Sequence, residues 1–444
     1  MKVMQPARRV LSHLYHLFPD LLGRRRTVSR GCEAFVAGIL VGRDGVSPRR
    51  RAVGWLTGKG HKMNQVIAGA MAIALASTIA SAQSSGDQNL QIHGFATQAV
   101  VYSTNNNYLG MDTSSGSTAW TEAAINVNDQ VTSKLRAGVQ LHYTRLGTFG
   151  GDNISVDWAL GDYKINRWVG VRAGKVKMRW GLYNDTQDYD PGYMWSLLPE
   201  TIYGVDYRAT DLSQLGAEVY GRVPLGDKLG KLSYSAYWGD YFVATNDGIM
   251  EGFNESGLTF TNTPWGKTPG FDLRWQTPVK GSMVGGSLMT FDAKGNLTNG
   301  TYVQPLAYWP AYYVQYDYKK LSLSGQYTKL IQYQTVTVTG SEPSSSGIDN
   351  PAWFAMAAYH ATDKLQVGAY YTRLWEAPLP KPVLPEDYFH EWVASSRYDI
   401  NSNFYVKLEG HFINGTGIGY YGFNNSNDLK PKTNVLAAKV GFTF

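Results

Sequence analysis

One cysteine, Cys32, is all the thiol this 444-residue chain carries. Downstream of it there is no disulfide and no thiolate metal site, so stability must come from backbone pairing and packing. Long apolar runs are equally scarce. Val66 to Ala80 is the one sustained uncharged stretch, and nothing after it has the length of a membrane-crossing helix. Helical stripes of useful length are missing too. What is present is rich in Tyr, Trp, Gly, Thr and Asn in short alternations, a β composition. A place in a membrane would then require a closed barrel, because unpaired N–H and C=O groups in hydrocarbon cost several kcal/mol each.

Val66 to Ala80 is followed by Ala80-Ser81-Ala82, small residues placed as a signal peptidase requires, with Lys59, His61 and Lys62 on the amino side. Cleavage is expected before Gln83. Residues 1–62 are Arg-rich without helix caps or sustained periodicity, and are expected to be an over-extended or unstructured leader. The expected organisation is therefore an extension over 1–62, an export signal over 63–82 and one β domain over 83–444. Removing the first 82 residues leaves 28 basic against 32 acidic side chains, a net charge of −4. The basic balance of the full chain is misleading, and nucleic acid is not an expected partner.

Candidate strands alternate in two faces. Leu135, Ala137, Val139, Leu141 and Tyr143 oppose Lys134, Arg136, Gln140, His142 and Thr144; Phe404, Val406, Leu408 and Phe412 oppose Tyr405, Lys407, Glu409 and His411. The last strand sets Leu436, Ala438, Val440, Phe442 and Phe444 against Lys439 and Thr443. About sixteen such strands fit between 90 and 444. Several pairs are joined by two to five residues, whereas 243–267, 335–350 and 414–430 read as long polar loops. The expected fold is all-β: a transmembrane antiparallel β-barrel of about sixteen strands, with apolar faces to lipid, polar faces to a lumen and aromatic residues near the strand ends.

Inward positions then include Arg136, Arg172, Arg222, Arg274, Lys407 and Glu409. Lys407 and Glu409 are close enough in sequence to pair with each other. Arg172 to Asp188, running on to Tyr203, starts as a strand and continues with Leu182, Met194, Trp195, Leu197, Leu198 and Ile202, apolar residues that an external loop has little reason to carry. It is expected to fold into the bore as a constriction loop. Asp185, Asp188 and Asp190 would form a negative patch across from Lys175, Lys177 and Arg179 and set up a transverse field. The same aspartates lack the oxygen spacing of a calcium loop. No histidine pair has metal-ligand spacing, and no cofactor is expected.

The run Gly174-Lys175-Val176-Lys177 with Gly181-Leu182-Tyr183 resembles the segment after the fifth strand of phosphate-selective-type porins and related porins of Gram-negative outer membranes. The terminal Phe444 resembles the ending of outer-membrane barrels. That resemblance implies a pore-narrowing loop, a homotrimer and placement in the outer membrane among lipid and lipopolysaccharide. The expected function is passive diffusion of small hydrophilic solutes or ions, with a slight lean toward anions and no catalysis. The alternatives are a substrate-specific outer-membrane channel, a secreted carbohydrate-binding β protein, and a barrel enzyme using His142 with Ser155.

Overall fold

A computed structural model describes residues 89–376, 384–425 and 428–444; the expected extension and export signal lie outside the described residues. The strands are β1 (Leu90–Ser103), β2 (Ser117–Gln130), β3 (Leu135–Leu146), β4 (Ile154–Lys164), β5 (Gly170–Lys177), β6 (Ser213–Pro224), β7 (Lys231–Phe242), β8 (Trp265–Lys267), β9 (Gly270–Gln276), β10 (Ser282–Leu297), β11 (Gly300–Tyr318), β12 (Leu321–Val338), β13 (Ser344–His360), β14 (Leu365–Trp375), β15 (Tyr388–Asp399), β16 (Phe404–Asn414) and β17 (Lys432–Thr443). β8 and β9 lie end to end, each pairing with both β7 and β10. They are one stave interrupted at Thr268-Pro269, where proline has no N–H to give the ladder. β1 pairs with β2 on one side and β17 on the other, so sixteen antiparallel staves close into a barrel with no free edge.

Alternation sorts each stave into an outer and an inner face. In β16, Phe404, Val406, Leu408 and Phe412 are exposed outside, while Tyr405, Lys407, Glu409 and His411 are buried inside. β17 does the same with Leu436, Ala438 and Val440 outside and Lys439 inside. Of the aromatics near strand ends, Trp168, Trp238, Tyr312 and Trp392 are exposed on the outside, whereas Tyr241 and Tyr313 are buried.

One rim carries only brief connections: 131–134, 165–169, 225–230, 277–281, 319–320, 361–364 and 400–403. The other carries 104–116, 147–153, 178–212, 243–264 and 415–431. The expected long loop over 335–350 is not there. β12 and β13 stay paired from Leu321↔Tyr359 to Val336↔Ser344, leaving only 339–343 to turn. Beyond Val338 this hairpin is Ser-rich, with Ser341 and Ser344 to Ser346 around Pro343, and only the short alternation Thr335-Val336-Thr337-Val338 marks it as strand.

At the long-loop rim, α1 (Arg208–Asp211) ends the loop after β5, and α2 (Gly248–Glu255) lies in the loop after β7. Asp247 caps α2 by accepting from the Met250 amide at 3.1 Å. Phe253 and Phe260 pack on Tyr302 of β11, and Tyr108, Leu109, Met111, Phe149 and Tyr421 pack over Trp120, Phe389 and Val435. The largest apolar cluster sits inside the barrel, where Met178, Trp180, Leu182, Met194, Trp195, Ile202 and Tyr203 meet Tyr237, Met289, Tyr313, Phe354, Tyr370 and Val393.

Candidate functional site: a loop laid across the bore

The segment between β5 and β6 enters the barrel and touches nearly every side of it. Gly174, in the left-handed region at φ 123°, lies within β5 three residues before the loop begins; a Cβ there would stand 2.3 Å from the Ala159 carbonyl oxygen. Trp180 crosses to the far wall, donating to the Trp309 carbonyl at 2.6 Å, and the Leu182 amide donates to Gln326 at 2.8 Å. Further on, Trp195 stacks edge-on against Tyr370, in space left by the missing side chain of Gly368. Burying the loop's seven large apolar side chains contributes on the order of 10 kcal/mol before the entropy of ordering the loop is subtracted. Such a loop is fixed in place.

Charged groups tie it down further. Along one wall, four guanidiniums and four carboxylates alternate without a gap. Arg136 reaches Asp162 at 3.1 Å; Arg172 joins Asp162 (3.1 Å) to Glu218 (2.8 Å); Arg179 joins Glu218 (3.4 Å) to Asp185 (3.5 Å); Arg274 joins Asp185 (3.1 Å) to Asp272 (2.8 Å). Arg179 and Asp185 belong to the loop and the others to the wall. The chain is electrically balanced, so each positive centre meets its counter-charge at close range.

On the opposite wall Asp190 is the anchor. Lys407 and Lys439 each reach its carboxylate at 2.9 Å, and the Tyr405 hydroxyl donates to it at 2.6 Å. Lys439 also lies 3.6 Å from Glu122 and over the Trp120 ring. Glu409 does not pair with Lys407. It accepts from the Ser196 and Leu197 amides, 2.9 Å each, and lies 3.1 Å from the His411 ring, which meets Glu391 at 2.8 Å through its other nitrogen. A third knot joins Arg208 to Asp157 (3.0 Å) and to the His142 ring (2.6 Å), and Gln140 to Asp157 and Asp188.

The twelve residues singled out from the sequence therefore fall into distinct settings. Arg136, Arg172, Arg179, Asp185 and Arg274 form the alternating chain; Asp190 meets Lys407, with Glu409 one rung away; Asp188 pairs with Lys177 at 2.7 Å. Two stand apart. Lys175 donates to the Val156 carbonyl at 2.6 Å, and Arg222 is exposed near the short-turn rim, 3.3 Å from Ser233. The three aspartates contact cations directly instead of facing them across open space, and each goes to a different partner. Ser155 donates to the His142 backbone at 3.4 Å, not to the ring, so no nucleophile–base pair is formed there.

Sequence reading missed Asp162, Asp157, Glu122 and Arg208. Glu122 was findable, because Trp120, Glu122 and Ala124 alternate with Thr121, Ala123 and Ile125. Arg208 was not, since it lies in the loop. Between the loop and β2 is a cavity of about 40 Å³ lined by Trp120, Glu122, Asp190, Tyr193, Trp195 and Arg208 among others, room for roughly three waters.

Where the loop meets the outer rim, Asp206 accepts from Tyr421 and Asp247 accepts from Thr210, both carboxyls being almost wholly buried. Burial pushes Asp206 up to about 6 and Asp247 up to about 8.

A closed barrel with an inward loop defines the class: an outer-membrane type of β-barrel. No family model matches the chain, and no curated protein matches it in sequence. Among solved structures it is similar to the outer-membrane expressed OmpT of Vibrio cholerae (12% identity, TM-score 0.51, 80% of this chain and 97% of that one). It is similar also to the trimer form of in-vitro folded Vibrio cholerae OmpT (11%, 0.51, 80% and 99%) and to Salmonella typhi OmpF in complex with daunomycin (16%, 0.51, 81% and 98%). At these identities the likeness is one of fold: this chain has the architecture of outer-membrane porins.

Proposed function

We propose that the protein is an outer-membrane channel that passes small hydrophilic solutes and ions by diffusion through a bore narrowed by the loop 178–212. The observation that carries this is the loop itself, laid across the lumen and ion-paired to opposite walls through Asp185 and Asp190. Polar, charged walls keep hydrogen-bond partners available to a hydrated solute. Discrimination by charge is slight, because the arginines of the alternating chain already hold carboxylates. Phosphate selectivity would need a run of unpaired basic groups along the path, and this chain of pairs does not supply one. The trimer form among the structural neighbours supports a homotrimer, with lipid and lipopolysaccharide around the apolar outer faces.

Planar-bilayer recording under a salt gradient tests the proposal: small, discrete conductance steps with a reversal potential near zero are expected. A bilayer that stays sealed at saturating protein overturns it. A substrate-specific channel is the second reading, favoured by the aromatic lining of the cavity beside β2, where Trp120, Tyr193, Trp195 and Tyr203 flank Glu122 and Arg208. Under that reading, a preferred solute would block the current in a concentration-dependent way.

A further inference from the structure

The two rims of the barrel carry opposite charge. The brief connections 131–134, 165–169, 225–230, 277–281, 319–320, 361–364 and 400–403 hold seven Lys or Arg side chains against Asp227 and Asp363, a net of +5. At the other rim the connections 104–116, 147–153, 243–264, 298–299, 339–343, 376–387 and 415–431 hold ten Asp or Glu against Lys381 and Lys430, a net of −8 with the buried Asp247 included. The chain as a whole conceals this, because the two ends largely cancel.

Few of these charges are spent on partners. All seven basic side chains of the brief connections are exposed, and among the described residues none is ion-paired: Lys364 reaches only the Ile400 carbonyl at 3.2 Å, and Arg167 and Lys319 lie over the rings of their neighbours Trp168 and Tyr318. Across the barrel, Asp152 and Asp428 are held by Arg145 (3.7 Å) and Lys430 (2.6 Å). Asp112, Glu251, Glu255, Glu376 and Glu386 meet no ammonium or guanidinium among the described residues. Between the rims lies the loop 178–212, whose arginine and carboxylate groups neutralise one another at close range. An acidic mouth, a balanced neck and a basic mouth therefore follow one another along the bore.

We infer that the channel rectifies, passing ions more readily when the long-loop rim is at the positive potential than when it is at the negative one. The inference rests on the channel reading above and gives it a direction. Fixed charge enriches its counter-ions, so the acidic mouth holds cations and the basic mouth holds anions. With the long-loop rim positive, the field drives both kinds of ion from the mouth that stores them into the neck, and carriers accumulate there. Reversing the field draws both away from the neck, each to be replaced from a mouth that excludes it. The reach of the rim charge is set by screening, about 30 Å at 0.01 M salt and about 3 Å at 1 M, so the asymmetry belongs to dilute solution.

The test is single-channel recording of the full barrel in symmetric KCl. A Cys32→Ser, Ser133→Cys chain, biotinylated at the short-turn rim, lets streptavidin added to one chamber report which way each channel is inserted. At about 0.01 M salt and about 100 mV, the current with the long-loop rim positive should be about twice that at the opposite polarity, falling to about equal at 1 M. Lys280→Gln, Lys319→Gln and Lys320→Gln together reduce the short-turn rim from +5 to +2, and should remove at least half of the excess while the heat-modifiable shift stays in place. Glu251→Gln with Glu255→Gln should reduce it from the other side. Equal currents in dilute salt, a larger current with the long-loop rim negative, or a ratio unmoved by the lysine changes overturns the inference and leaves the channel standing. A sealed bilayer overturns both.

Discussion

Changing Asp190 to Asn removes the one carboxylate shared by two buried ammonium groups, since the Lys407 and Lys439 side chains are 0% and 1% exposed. Lys407 would keep only the Asp190 and Trp195 carbonyls, each 2.9 Å away, and Lys439 would keep Glu122 at 3.6 Å. Removing one member of a buried ion pair typically costs about 3–5 kcal/mol, because the remaining charge stays desolvated. Apolar packing of the loop is worth on the order of 10 kcal/mol before ordering entropy, and the Glu409 bonds to Ser196 and Leu197 add about 1.5–3 kcal/mol each. The barrel should therefore stay closed while residues near 190–197 loosen. Single-channel recording should show larger and noisier conductance steps, and the heat-modifiable shift on gels should come at a lower temperature. Replacing all three residues together, Asp190→Leu with Lys407→Met and Lys439→Met, should recover part of the lost stability by leaving no orphan charge. If Asp190→Asn leaves both conductance and transition temperature where they were, the anchor is ornamental and the constriction reasoning fails.

Replacing Arg179 and Arg274 with Gln deprives Asp185, Glu218 and Asp272 of two positive partners, so the reversal potential should move toward cations; Lys175→Gln, acting on a group that meets only the Val156 carbonyl, should leave it in place. Leu408, 53% exposed on the outer face, should tolerate Arg poorly, with folding into lipid vesicles weakened by about 2–4 kcal/mol in denaturant titration. A pH response follows from the rim. Asp206 and Asp247 hold their protons more tightly folded than unfolded, so the docking they support is complete below about pH 4 and is lost as pH rises through about 6 and then about 8. For Asp206 alone the change is roughly 3 kcal/mol. Protease nicking of 243–264 and 415–431 should accelerate across that window; constant cleavage from pH 4 to 9 would contradict it.

Much of the barrel was legible because one face of its wall is apolar and exposed while the other is polar and buried. Where a stave has an apolar outer face, as in β16 and β17, the two-residue period is unbroken and the inner charges Lys407, Glu409 and Lys439 can be read off directly. At the far ends of β12 and β13 the alternation shrinks to Thr335–Val338 and is lost in Ser344–Ser346, so strand reads as loop. The loop's inward course was visible in its misplaced Leu, Met and Trp. Its partners were not. Asp190 meets Lys407 from 217 positions away, and no local pattern encodes which of several inner lysines a given aspartate will find. That choice depends on the path of the whole loop, which is set by packing on both walls at once.

The staves are of unequal height. β11, β12 and β13 run 19, 18 and 17 residues, against 11 or 12 in β14, β15 and β16. Six additional residues at about 3.3 Å each give a parapet roughly 20 Å longer along the strand on that flank. Bulky visitors approaching from there would strike a stiff paired sheet before reaching the mouth, while the opposite flank is roofed by irregular chain. On the channel reading proposed above, substitutions on the parapet should alter what the long-loop rim presents to its surroundings and leave conductance through the lumen untouched.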